Sequence, residues 1–143
     1  MELRLSILVK CLVTLGSLSS FGFGIWHFFV PKLWNWYSYI DSSATELVVA
    51  IRAINVFFSL SLVLFGLVNI MLIFGDNPNR YSLIVILTAT CILWLTRTTF
   101  QIIFPQGTLY SGLQYGMLSA FIIISLCYLS SLLLVVFQRN LAQ

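Results

Sequence analysis

His27, Arg52, Asn55, Arg97, Gln101 and Gln114 are the residues of this chain best suited to chemistry, and each lies inside or at the end of a long apolar run. The two guanidinium groups offer paired donors that fit a carboxylate, a phosphate or a quinone carbonyl. The carboxamides can orient such a head group. The single histidine, placed near two arginines, can exchange a proton with it. No catalytic residue is assigned, because no Ser–His–acid spacing stands out. A haem or zinc centre is not indicated either: there is no second histidine, and no cysteine lies near the first.

These residues need elements that bring them to one depth. The chain has 143 residues, of which 60% are hydrophobic and only 8% charged. Soluble domains carry about 25% charged residues, so lipid rather than water must be the solvent for most of this surface. Four apolar runs, about 5–30, 47–74, 82–104 and 110–137, each exceed the ~20 residues that cross a bilayer core. Pro31, Pro78 and Pro105 fall between them, as helix-stopping residues should. The runs are continuous rather than alternating, which argues against a membrane barrel. The expectation is an all-α protein: one integral-membrane domain, 1–143, built as an antiparallel four-helix bundle.

The net charge of +3 is small and dispersed, so nucleic acid is not an expected partner. Cys11, Cys91 and Cys127 stand singly and read as buried small hydrophobes. The opening MELRLSILVK resembles a signal peptide, but Lys10 interrupts its apolar core and the run continues through Trp26, so it reads as an uncleaved first helix. Arg4, Lys10, Arg80 and Arg139 collect at one end of the bundle, with Lys32 at the other. The positive-inside rule then puts both termini in the cytoplasm, with the plasma (inner) membrane as the expected location.

That topology explains the stretch GIWHFFVPKLWNWYSYID at 24–41. Its tryptophans and tyrosines fall at the outer membrane–water boundary, where an amphipathic ring anchors. Pro31 is expected to end the first helix. Ser42 or Ser43 is expected to cap the second, with Glu46 at capping-box spacing from Ser43.

Depth and face agree in placing the six polar residues together. At ~1.5 Å per residue all six come out in the outer half of the membrane. At ~100° per residue Arg52 shares a face with Asn55, Ser59 and Gly66, while Arg97 shares one with Thr90, Trp94 and Gln101. Arginine against lipid costs ~2.5 kcal/mol or more, so these stripes should turn inward. Three readings remain open: an outward-open cationic pocket, an inert clasp in which Glu46 pairs with Arg97 or Arg52, and arginines snorkelling to the surface. Gly112, Gly116 and Ala120 form a small-residue stripe on helix 4, and Gly16, Ser20 and Gly24 a similar one on helix 1. Gly24 matches Gly116 in depth, and Ser20 matches Ala120, so the stripes either close the bundle against each other or, with the helix 1 stripe leaving room for a ligand tail below His27, free the helix 4 stripe for a homodimer.

The sequence Gly24-x-x-His27-Phe28 leading to Pro31, followed by an outer segment and a long second helix, resembles the DoxX-like family of small four-helix membrane proteins. The resemblance implies a four-helix layout and either quinol-linked oxidation or a membrane chaperone role. It departs at the second helix, where Asn55 stands roughly where an acidic residue is expected. The residues themselves require no cofactor; quinone is the one that the resemblance suggests. The functional expectation is a membrane protein that binds a lipid-like, anionic or quinone-type molecule at His27, Arg52, Asn55, Arg97, Gln101 and Gln114. The alternatives are a quinone-linked oxidoreductase subunit, with His27 as proton donor, and a non-catalytic assembly or chaperone partner.

Overall fold

The computed structural model describes residues 6–76, 79–108 and 110–137. Arg4, Pro78 and Arg139, which entered the reading of topology, lie outside the described residues. The chain forms α1 (Ile7–Leu33), a short 3-10 helix (Trp36–Tyr39), α2 (Thr45–Phe74), α3 (Arg80–Ile103) and α4 (Ser111–Phe137). The α-helices run 27, 30, 24 and 27 residues, and each is long and apolar enough to cross a membrane. At 1.5 Å per residue they measure ~36–45 Å, more than a ~30 Å hydrocarbon core. This is an all-α multi-pass membrane protein, a four-helix bundle whose successive helices run antiparallel.

Its surface supports the same conclusion. Ile54, Phe57, Met71, Ile92 and Leu126 are each more than half exposed. In water such continuous apolar cover would drive aggregation, whereas in a bilayer it is the ordinary lipid-facing surface. The interior is mixed: Leu62, Leu87, Trp94 and Tyr128 are buried beside Ser17, Ser20, Ser59, Asn69 and Thr90.

Hydroxyls inside an apolar helix need partners, and most find them one turn back. Ser59, Thr90, Thr98 and Ser131 donate to the carbonyls of Asn55, Ile86, Trp94 and Cys127. The oxygen that has given its proton away is then free to accept across a helix boundary. Thr90 Oγ1 accepts from Asn69 Nδ2 at 2.9 Å, joining α2 to α3. Thr98 Oγ1 and Ser125 Oγ meet at 2.9 Å between α3 and α4. Tyr128 donates to Ser17 Oγ at 3.1 Å and Ser20 to the Leu62 carbonyl at 3.1 Å, tying α4 and α2 to α1. Packing is closest between α1 and α2, substantial between α3 and α4 and between α1 and α4, and slightest between α2 and α3.

The glycine stripes find partners other than those expected. A methyl group on Gly24 would sit 2.8 Å from the Ser59 carbonyl, and one on Gly66 would sit 2.8 Å from the Ser17 carbonyl. Both are therefore close-approach points of α1 on α2. Gly16 faces the Tyr128 ring of α4. Among the described residues, nothing lies within 4 Å of where a methyl group on Gly112 or Gly116 would stand, and Ala120 is exposed. Closure of the bundle by Gly24 on Gly116 is thus corrected: the side of α1 bearing Gly24 and Ser20 turns to α2, and the α4 stripe is exposed.

Three helix-end expectations also change. Pro31 lies within the last turn of α1, which continues to Leu33. Its fixed φ suits a helix, and its missing N–H leaves only the His27 carbonyl without an intrahelical donor. Ala44, not Ser42 or Ser43, is the N-cap of α2. Asp41 takes the chain round instead, its carboxylate accepting from Ser43 N at 2.9 Å, with Ala44 N donating to the Asp41 carbonyl at 3.0 Å. That backbone N–H holds the exposed Asp41 carboxyl below its ordinary value. Arg80 is the first residue of α3 rather than a loop residue, and it caps another helix by donating to the Val135 and Val136 carbonyls at 3.2 and 2.8 Å. Cys11 is exposed, unlike Cys91 and Cys127.

Candidate functional site

The connections α1–α2 and α3–α4 lie at one end of the bundle, together with Trp34, Trp36, Tyr37 and Tyr39, and all six expected site residues fall toward this aromatic end. They form two groups, with Arg52 and Gln114 outside both.

The first group is on α1 and α2. His27 Nδ1 lies 3.3 Å from Ser59 Oγ, and the Ser59 hydroxyl donates to the Asn55 carbonyl at 2.7 Å. With the serine proton spent, Oγ can only accept, so the hydrogen-bond pattern assigns the imidazole proton to Nδ1 and leaves Nε2 as an acceptor in the neutral ring. Phe58 packs edge-on to the imidazole at 4.7 Å, with Phe23, Trp36 and Trp26 at 5.7, 6.2 and 6.5 Å. Asn55 is buried, and its Oδ1 has no hydrogen-bond partner among the described residues.

The second group is on α3 and the connection after it. Arg97 is half-buried, and its guanidinium carbon stands 4.4 Å from the centre of the Phe121 ring. Its Nη2 donates to Gln106 Oε1 at 2.7 Å and its Nη1 reaches Gln101 Oε1 at 3.4 Å. The buried Gln101 in turn donates from Nε2 to the Gln106 carbonyl at 3.0 Å. These partners are neutral amides; the guanidinium is held in place without being neutralised. Trp94, fully buried, packs 5.7 Å from Phe121, and its indole N–H has no acceptor among the described residues.

Phe23 connects the groups. Its ring is 5.7 Å from His27, 6.0 Å from Trp94 and 5.0 Å from Phe121, the last edge to face. Arg52 is exposed, and its guanidinium lies 5.7 Å from the Tyr37 ring at the helix surface. Being only two turns inside the start of α2, it escapes hydrocarbon by reaching outward rather than by turning in. Glu46 is exposed in the first turn of α2. Gln114 is half-buried in the first turn of α4, where its N–H donates to the Tyr110 carbonyl at 3.1 Å.

Gln106, Ser59 and Phe121 join this arrangement without having been singled out as site residues. Ser59 carried a readable signal, sharing a face with Asn55. Gln106 carried none, because it lies in an irregular connection where no periodicity aims a side chain. No protein-family model matches the chain, and no curated protein or solved structure is significantly similar to it.

Proposed function

We propose that this membrane protein binds an amphiphile with an anionic or carbonyl head, and that Arg97 is the residue that holds it. One observation carries this reading: a half-buried guanidinium whose hydrogen bonds go to the neutral amides of Gln101 and Gln106. A cation removed from water is stabilised best by an opposite charge, and amides supply only partial compensation. Trp94, packed against the Phe121 ring, is likewise buried with an indole N–H unmatched among the described residues. An oxygen-rich head placed against Phe121 answers the guanidinium. Of the expected ligand residues, Gln101 orients Arg97, while His27 and Asn55 lie beyond Phe23 and leave the head to Arg97. Arg52 serves as a surface attraction for anionic molecules.

Quinones are among the carbonyl-headed amphiphiles that meet this description, and the DoxX-like resemblance at Gly24, His27 and Pro31 favours them. The collection of basic residues at the opposite end supports placing this site in the non-cytoplasmic half of a plasma membrane. The test is native mass spectrometry and extract analysis of the purified protein. An anionic or quinone-type molecule should accompany the wild type, persist in Arg97→Lys at reduced occupancy and disappear from Arg97→Gln. Equal recovery from wild type and Arg97→Gln overturns the reading.

A second reading has its own observation. Arg97 and Gln101 both hold Gln106, so the same bonds fasten the α3–α4 connection to α3. On this reading the cluster is a structural clasp in an assembly partner. Arg97→Gln then lowers the unfolding temperature, and no bound molecule is recovered from either protein.

A further inference from the structure

The α1–α4 contact is tight where Gly16 meets Tyr128 and opens toward the aromatic end. There a groove of about 440 Å³ lies between Ser19, Gly22, Phe23 and Trp26 on α1 and Ala120 and Phe121 on α4. Gly22 and Ala120, its small-residue walls, are exposed, and Gly22 has nothing within 4 Å of a built Cβ. The groove is therefore open sideways, along the surface the bundle shows to lipid. We infer that it seats one acyl chain of an anionic phospholipid whose head is held by Arg97, so that the ligand enters laterally from the bilayer. This rests on the reading of Arg97 given above and names the class of molecule that it holds.

Three features link groove and charge. Phe121 lines the groove and also carries the Arg97 guanidinium on its ring, so the cation lies one aromatic ring away from the hydrocarbon slot. Phe23, which lines the groove beside Trp26, packs against both Phe121 and Trp94. Trp94, fully buried behind both of these rings, keeps its indole N–H unmatched among the described residues, so the packing around Phe121 is not saturated with acceptors. Charge complementarity selects an anionic lipid over a zwitterionic one, and the sideways opening selects what the bilayer supplies, a hydrocarbon chain.

The experiment uses the full chain in vesicles containing phosphatidylglycerol or phosphatidylcholine, each spin-labelled near the chain terminus. The motionally restricted fraction is read by electron paramagnetic resonance. In wild type the restricted fraction of phosphatidylglycerol should exceed that of phosphatidylcholine. Gly22→Leu and Ala120→Leu, which fill the groove from opposite walls, should each bring it down to the phosphatidylcholine level, as should Arg97→Gln. Gly112→Leu, on the exposed side of α4 and outside the groove, serves as the control for added bulk. If Arg97→Gln lowers the fraction and both leucine variants leave it unchanged, the head reading stands and the groove inference fails. Equal restriction of the two lipids in wild type overturns the inference, whereas the reading of Arg97 stands or falls on the extract analysis. If the leucine variants instead dissociate a dimer detected by cross-linking, with lipid restriction unchanged, the groove belongs to a second copy of the chain and the inference is overturned.

Discussion

Replacing Gly24 by alanine adds one methyl group where α1 touches the backbone of α2. The new carbon would meet the Ser59 carbonyl at 2.8 Å, Val63 Cγ2 at 2.9 Å and Leu62 Cβ at 3.0 Å, against an ordinary contact of 3.4–4 Å. Val63 can turn aside, but a helical carbonyl cannot, so the helices must part by about half an ångström. Overpacking of this kind costs ~1–3 kcal/mol. The same displacement stretches two bonds flanking the contact, Ser20 to the Leu62 carbonyl at 3.1 Å and His27 to Ser59 at 3.3 Å. Each contributes ~0.5–1.5 kcal/mol. Alanine returns up to ~1 kcal/mol through its higher helix propensity. The net expectation is a loss of ~2–3 kcal/mol, with overpacking the dominant effect. Gly22→Ala, two residues away with open space around it, isolates the propensity gain and should be neutral or slightly stabilising. Reversible unfolding in mixed micelles compares the two directly. Gly24→Ala as stable as Gly22→Ala would refute the close approach of α1 and α2, and with it the geometry assigned to His27.

Two further outcomes test other parts of the structure. Arg80→Ala removes both donors from the last carbonyls of α4 and should cost ~1–2 kcal/mol in the same assay; unchanged stability would show that the cap is dispensable. The Asp41 carboxyl titrates below its ordinary value because Ser43 N–H donates to its charged form. Its contribution is thus complete above the unfolded carboxylate value and lost as pH falls through the folded one. Hydrogen exchange at Ser43–Glu46, corrected for intrinsic rates, should accelerate in acid for wild type and stay level for Asp41→Asn, whose amide oxygen accepts at every pH.

The layout of the four helices was legible because hydrophobic length in a bilayer admits few alternatives. The aromatic stretch at 24–41 located one end of the bundle, and the face shared by Asn55, Ser59 and Gly66 is indeed buried. Periodicity says that such a face turns inward; it does not say which neighbour receives it. Gly24 was matched by depth to Gly116, yet it lies against Ser59, because helix order around the ring is a tertiary property. Arg52 misled for a different reason: its stripe is buried, but a long side chain near a helix end can leave its stripe and follow Tyr37 to the surface. The cap of α2 was misread because serines at 42 and 43 are good caps in isolation, while Asp41 ahead of them makes the tighter turn. Gln106 depends on the path of an irregular connection, which local sequence leaves undetermined.

The thin contact between α2 and α3 divides the molecule into two hairpins hinged along the α1–α4 seam. Along that weaker wall, Asn69 to Thr90 is the one side-chain hydrogen bond between α2 and α3 among the described residues. Removing it would leave the two helices without a polar link there, while Tyr128 on Ser17 kept the opposite seam tied.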